Sequence, residues 1–142
     1  MLHAHIFSEP APAPTDFHLL PPLTPADYLR ICRKASGKSV DQVAEVIEPR
    51  HRRRSAVAAL IRDLETPGTT ANHVTLLDPL HGAFRFSSDV YFQLMTRPPE
   101  RHPIICRQCG CDRHHRCHHE EIGDCDWTLP GLCSRCADGE RC

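Results

Sequence analysis

Apolar residues recur at helical spacing through five consecutive capped segments, and eight of nine cysteines crowd between Cys106 and Cys142, so a mainly α protein in two parts is predicted. The first part is a compact five-helix domain over residues 24–96. The second is a small irregular module over 104–142 with too few apolar side chains to fold unaided. A Pro-rich flexible tail over 1–23 precedes them, and the Pro-rich linker RPPERHP, 97–103, joins them.

Each helix carries its own signals. Thr24 can cap, Pro25 suits the first helical position and Asp27 favours the positive end of the helix dipole, so a helix over 25–36 is predicted, with Tyr28, Ile31, Cys32 and Ala35 as its apolar face. Gly37 ends it. Ser39 with Gln42 reads as a capping box for a second helix carrying Val40, Val43, Ala44 and Ile47. Pro49 and the basic run RHRRR form a loop in this reading, and Ser55 caps a third helix buried through Val57, Leu60, Ile61 and Leu64. Asn72 caps a fourth helix with His73, Leu76, Leu77 and Leu80, which Pro79 kinks or splits. The fifth spans Ser88 to Met95, with Ser88 as its cap.

Charge narrows the function classes. The net charge is −1, yet residues 30–62 hold nine Lys or Arg against three acids, an asymmetry that points to a polyanion. No run reaches the roughly 18 apolar residues of a membrane span, and the start MLHAHIFSEPAPAP has neither a basic stretch nor an apolar one. A cytoplasmic protein without membrane contact is expected. No Ser/His/Asp set or phosphate-cradling glycine loop stands out, and no enzyme is expected. His118-His119-Glu120 with Cys133-Ser134-Arg135-Cys136 imitates a zinc deaminase, but Leu132 stands where that signature has proline. His119-Glu120 lacks the second histidine of a metalloprotease helix.

The cysteines are the sharpest signal. Cys106/Cys109, followed by Gly110, and Cys133/Cys136 form two pairs of metal-knuckle spacing, twenty-three residues apart. Four thiolates in this pattern suit a closed structural Zn2+ site. Without a leader sequence, disulfides are the weaker reading. The module offers only Ile104, Ile105, Ile122, Trp127, Leu129 and Leu132 as sizeable apolar side chains. A structural zinc contributes about 10 to 16 kcal/mol of apparent binding energy, more than so small a core supplies. Trp127 is expected to pack beside the site. Cys111, Cys117 and Cys125, with His114 or His118, are candidates for a second zinc, the alternative being reduced surface groups. An iron–sulfur cluster is a further alternative, although the ferredoxin spacings are absent. Cys142 is expected to be free.

The runs YLRICRKASGKSVDQVAEVI and ALIRDLETPGTTANHVTLLDPLHGAF, between residues 26 and 95, resemble the helix-turn-helix (HTH) domain of lambda-repressor and Cro-like regulators. The likeness is carried by the basic first helix ending at Gly37, the Ser39-led second helix with Ala44, Leu64-Glu65 before the Pro-Gly turn, and the helix near Asn72. The segments CRQCGC, CDW and LCSRC are similar to the C-terminal part of small bacterial and phage proteins that join such a domain to a cysteine cluster. The resemblance implies a transcription regulator that binds double-stranded DNA, with a homodimer or a protein partner as further expectations. It makes the helix from Ser55 the recognition helix, with Ala56, Ala59 and Arg62 towards DNA, and Lys38, Arg50, Arg52, Arg53 and Arg54 on phosphates. Two departures stand out: seven residues, Glu48 to Arg54, separate the second and third helices, and Val40 replaces a phosphate-contacting glutamine. Alternatives are a protein-interaction adaptor of a mobile element and an iron–sulfur or redox sensor.

Overall fold

Thr24 opens the first helix with a reciprocal pair of bonds: its Oγ1 accepts from the Asp27 amide at 3.1 Å, and its own amide donates to the Asp27 carboxylate at 3.3 Å. These details come from a computed structural model that describes residues 20–142, so most of the expected tail, 1–19, lies outside the described residues. Helix α1 runs Pro25–Ala35. Its buried face is Ala26, Tyr28, Leu29, Cys32 and Arg33, whereas Ala35 is exposed. The apolar stripe therefore starts one turn earlier than Tyr28 suggests, because Pro25 and Ala26 already lie on the core side.

Helix α2, Val40–Ile47, has the expected Ser39/Gln42 capping box and buries Val43 and Ala44. Pro49 disfavours helical backbone at Glu48, whose φ and ψ are −128° and 89°, and α2 stops there. Helix α3 then runs His51–Leu64, four residues earlier than expected. Arginine is a good helix former, and Arg54 folds back so that its Nη2 donates to the Pro49 carbonyl at 2.8 Å. The basic run is thus the first turn of a helix and not a loop, and Ser55 lies inside α3 rather than capping it. Only Glu48, Pro49 and Arg50 separate α2 from α3, in place of the seven residues expected. The buried positions of α3 are Ala58, Ile61 and Leu64; Val57 is partly buried and Leu60 is 40% exposed.

Pro79 divides the fourth helical segment into a 3-10 turn, Val74–Leu76, and a single-turn helix α4, Asp78–His81. Helix α5 spans Ser88–Thr96, and its cap is Ser87, whose hydroxyl accepts from the Val90 amide at 3.3 Å; Ser88 is its first residue. A 3-10 turn, Pro99–Arg101, occupies the linker. Beyond it the chain forms two short antiparallel hairpins, β1 (His118–His119) with β2 (Gly123–Asp124) and β3 (Trp127–Leu129) with β4 (Leu132–Cys133). Helix α6, Ser134–Ala137, follows. The described chain is therefore mainly helical, with five α-helices between residues 25 and 96 and a sixth in the cysteine-rich end, which has more regular structure than expected. No described helix is long and apolar enough to cross a membrane.

Tyr28, Leu29, Val43, Ile61, Leu77 and Tyr91 form the centre of the main core, and Ile105 from beyond the linker joins it. Both tyrosine hydroxyls are used. That of Tyr28 accepts from the Ser87 amide at 2.9 Å and that of Tyr91 from the Ala71 amide at 2.8 Å, so buried rings fix two loops by their polar ends.

One ion pair is sunk into this core. Arg33 meets Glu65 in a two-pronged contact, Nε to Oε1 at 2.6 Å and Nη2 to Oε2 at 2.8 Å, and its Nη1 donates to the Lys38 carbonyl at 2.8 Å. The side chains are only 10% and 8% exposed. Removing one partner strands the other charge, so Glu65→Ala is expected to cost about 3 to 5 kcal/mol in urea denaturation. Arg62–Asp41, with side chains 56% and 76% exposed, makes a contrast. Arg62→Ala is expected to cost less than about 1 kcal/mol. Equal losses for the two variants would contradict this reading.

Candidate metal centre

Three short backbone devices bring the cysteines together. In the first, the Gly110 amide donates to the Cys106 carbonyl at 2.8 Å and the Cys106 amide to the Cys111 carbonyl at 2.9 Å, which closes a knuckle around Cys106 and Cys109. Gly110 sits at φ +78°, a conformation that favours glycine. In the second, the β1/β2 hairpin places Cys117 and Cys125 at its base, where the Cys125 amide donates to the Cys117 carbonyl at 2.9 Å and the Cys117 amide to the Cys125 sulfur at 3.3 Å. In the third, β4 ends on Cys133, the residue that precedes α6, and α6 carries Cys136.

The result is a second buried cluster made of sulfur. Cys106, Cys111, Cys117, Cys125, Cys133 and Cys136 are buried, with Cys109, Trp127 and Leu132 packed against them. Trp127 lies where expected. Ile122 does not, being 68% exposed at the tip of the first hairpin, and Ile105 belongs to the helical core. The Sγ atoms of Cys106, Cys109, Cys133 and Cys136 all lie within 4.8 Å of one another, a set that can hold a metal ion. A tetrahedron of sulfurs around an ion at about 2.3 Å has edges of about 3.8 Å. The distance from Cys109 Sγ to Cys133 Sγ is 3.8 Å.

The electrostatics of these sulfurs without a cation are lopsided. Hydrogen bonds from the Cys109 and Cys111 thiols draw Cys106 well below the usual thiol range, against its burial. Cys109 is pushed up to about 12, first by its bond to Cys106. Cys111 is raised in the same way, and Cys136 is raised by burial and then by the neighbouring charges of Cys109 and Cys106. A divalent ion held by the four sulfurs would favour their thiolate forms.

Of the second expected set, Cys111 and Cys125 approach to 3.7 Å, and Cys117 lies 3.6 Å from Cys109. The histidine rings stand outside these sulfur contacts. His118 Nδ1 is 2.8 Å from Asp124 Oδ1, and His114 uses its backbone amide on Asp112 Oδ1 at 2.7 Å. Neither His114 nor His118 is in a sulfur group. Cys142, expected to be free, is instead drawn in: it joins Cys117 in a disulfide and falls in a group with Cys109, Cys111, Cys117 and Cys133. Its spacing from Cys136 matches no knuckle, so only the fold reveals it. Asp112 was also missed. It is buried, accepts from the His114 and His115 amides, and meets His115 Nδ1 at 2.8 Å, which shapes the turn between Cys111 and Cys117.

The cluster rests on α1. The Cys32 thiol, pushed up to about 12 chiefly by burial, lies directly under Gly110. Arg107 donates to the Pro21 carbonyl and ties the knuckle to the segment before α1.

The residues nominated for DNA fall into two groups. Arg50, Arg52, Arg53 and Ser55 are exposed around the first turns of α3, and the three arginine side chains make no ion pair among the described residues. Arg54 pairs with Glu45 at 3.2 Å and Arg62 with Asp41 at 3.0 Å, and half-buried Lys38 offers its carbonyl to Arg33. No family model, no curated protein and no solved structure matches the chain.

Gly110 and Gly139 separate docking from backbone strain, since both have φ +78° but only at Gly110 would an added Cβ overlap the Cys32 sulfur. Gly110→Ala is therefore expected to lower the thermal midpoint well beyond Gly139→Ala, which carries the conformational cost alone. Equal shifts would show that the knuckle does not bear on α1.

Proposed function

We propose that the protein is a DNA-binding regulator in which α2 and α3 form a helix-turn-helix unit, and in which a Zn2+ ion held by Cys106, Cys109, Cys133 and Cys136 stabilises the cysteine-rich end. It binds and does not catalyse.

The observation that carries this reading is the first turn of α3. Arg50, His51, Arg52, Arg53 and Arg54 stand at the positive end of a fourteen-residue helix that has neither an acidic residue in its first turn nor a side-chain cap. Cations at a helix N-terminus are disfavoured by about 0.3 to 1 kcal/mol each, and a local rule broken at this cost marks a functional surface. Phosphate oxygens reverse the penalty, because they meet both the guanidinium groups and the unsatisfied amides of the first turn. The three-residue connection through Glu48, Pro49 and Arg50 also has the length of an HTH turn. The outer face of α3 presents Ala56, Ala59 and Leu60, which offer few hydrogen bonds to bases, so the affinity is expected to depend more on backbone than on sequence.

Zinc suits the four clustered sulfurs, three of them buried, by ligand type and by spacing. A protein-binding adaptor is the second reading, favoured by exposed Val46, Leu60 and Val74.

Titration of duplex DNA at several salt concentrations distinguishes the two. DNA binding predicts an affinity that falls steeply with salt, and Arg52→Ala with Arg53→Ala lowers the log–log slope by about 2. Arg62→Ala, whose guanidinium is held by Asp41, leaves the slope nearly unchanged. Absence of duplex binding, or an unchanged slope in the double variant, would refute the DNA reading.

A further inference from the structure

The sulfur cluster is larger than one ion needs. Cys109 Sγ stands 3.8 Å from Cys133 Sγ on one side and 3.6 Å from Cys117 Sγ on the other, and both are close to the edge of about 3.8 Å expected for sulfurs sharing a tetrahedral ion. Two groups of sulfurs, each mutually within 4.8 Å, overlap at Cys109 and Cys133: one adds Cys106 and Cys136, the other adds Cys111, Cys117 and Cys142.

We propose a thiolate-bridged two-metal centre: the first ion takes Cys106, Cys109, Cys133 and Cys136, and a second takes Cys111, Cys117 and Cys142 and shares Cys109 with the first. The proposal rests on the metal reading of the first four cysteines and adds a ligand, Cys142, and a bridge. Histidine is not needed in the second set, since His118 is turned to Asp124 and His115 to Asp112. Sharing a sulfur follows from charge as well. Each additional thiolate adds a negative charge to the cluster, whereas a bridging thiolate serves two cations at once. Arg85 lines the recess beside Cys109, Cys117 and Cys142, on the side of the second ion. A disulfide between Cys117 and Cys142 and a second ion exclude each other, because the disulfide withdraws two of the ligands.

The test uses the full chain, reduced under anaerobic conditions and loaded with 113Cd2+ in place of its metal, and reads proton–cadmium correlation spectra. Two cadmium resonances are expected, with the β-protons of Cys109 correlating to both and those of Cys142 to the second alone. Cys142→Ser is expected to lose or markedly shift the second resonance and to keep the first. One resonance carried by Cys106, Cys109, Cys133 and Cys136 would overturn the two-metal centre and leave the first site standing. Two resonances without a shared cysteine, or a histidine ring proton correlated to cadmium, would also overturn it. A protein that takes up no cadmium would remove both sites together.

Discussion

The crowding of sulfurs is the constraint on which the C-terminal quarter depends. Eight cysteines lie between Cys106 and Cys142, and seven of them fall into two interpenetrating groups with sulfurs within 4.8 Å. Hydrogen bonds from its neighbours pull the Cys106 thiol down, while Cys109, Cys111 and Cys136 are pushed up by their sulfur neighbours and by burial. Such an arrangement gains little from apolar contact, since only Trp127 and Leu132 pack against it as sizeable apolar side chains among the described ones. A cation held by these sulfurs would turn the same crowding into the cohesive element of the module. The short hairpins and the one-turn α6 need a tie of that kind, because elements of two to four residues have almost no stability of their own.

The helical part is held together by different means, and the two meet at Gly110. There the knuckle backbone lies against the Cys32 sulfur, while Ile105, just before the knuckle, is packed into the helical core. The sulfur cluster is therefore positioned by α1 and not merely tethered through the linker. Arg33 and Glu65 do comparable work on the other face of α1, joining it to the end of α3. The DNA-facing turn proposed at Arg50–Arg53 is then fixed relative to α1 through α3, so stability in the core and orientation of the basic surface are linked.

Local signals were legible where a single residue type decides the backbone. The cap at Thr24, the capping box at Ser39, the split at Pro79 and the mainly helical class could be read directly, because each rests on a hydrogen bond or a missing one within four residues. Misreadings arose where two local signals compete. Ser55 resembles a cap, yet Pro49 and a run of helix-forming arginines start α3 at His51, and this shortened the connection to α2. Apolar spacing put Leu60 in the core, but the phase of α3 is set by Ala58, whose small side chain lets the helices approach and carries little weight in a hydrophobic pattern. In the cluster the two paired knuckles had a spacing that announces metal. Cys142 had none, and the histidines, conspicuous in the sequence, are drawn to Asp112 and Asp124 by ordinary hydrogen bonding. Long-range proximity of that kind has no signature in spacing.

Trp127 offers the most direct measurement of whether metal replaces a core, because it is the only tryptophan and it packs on the cysteine cluster. Its fluorescence is to be followed while a strong chelator strips the reduced full-length protein and zinc is then returned, with helical circular dichroism recorded in parallel. Metal as the organising element predicts a red shift to a solvent-exposed emission on chelation, reversal on adding zinc, and a far smaller change in the helical signal. An emission that stays blue after the metal has been removed would contradict it.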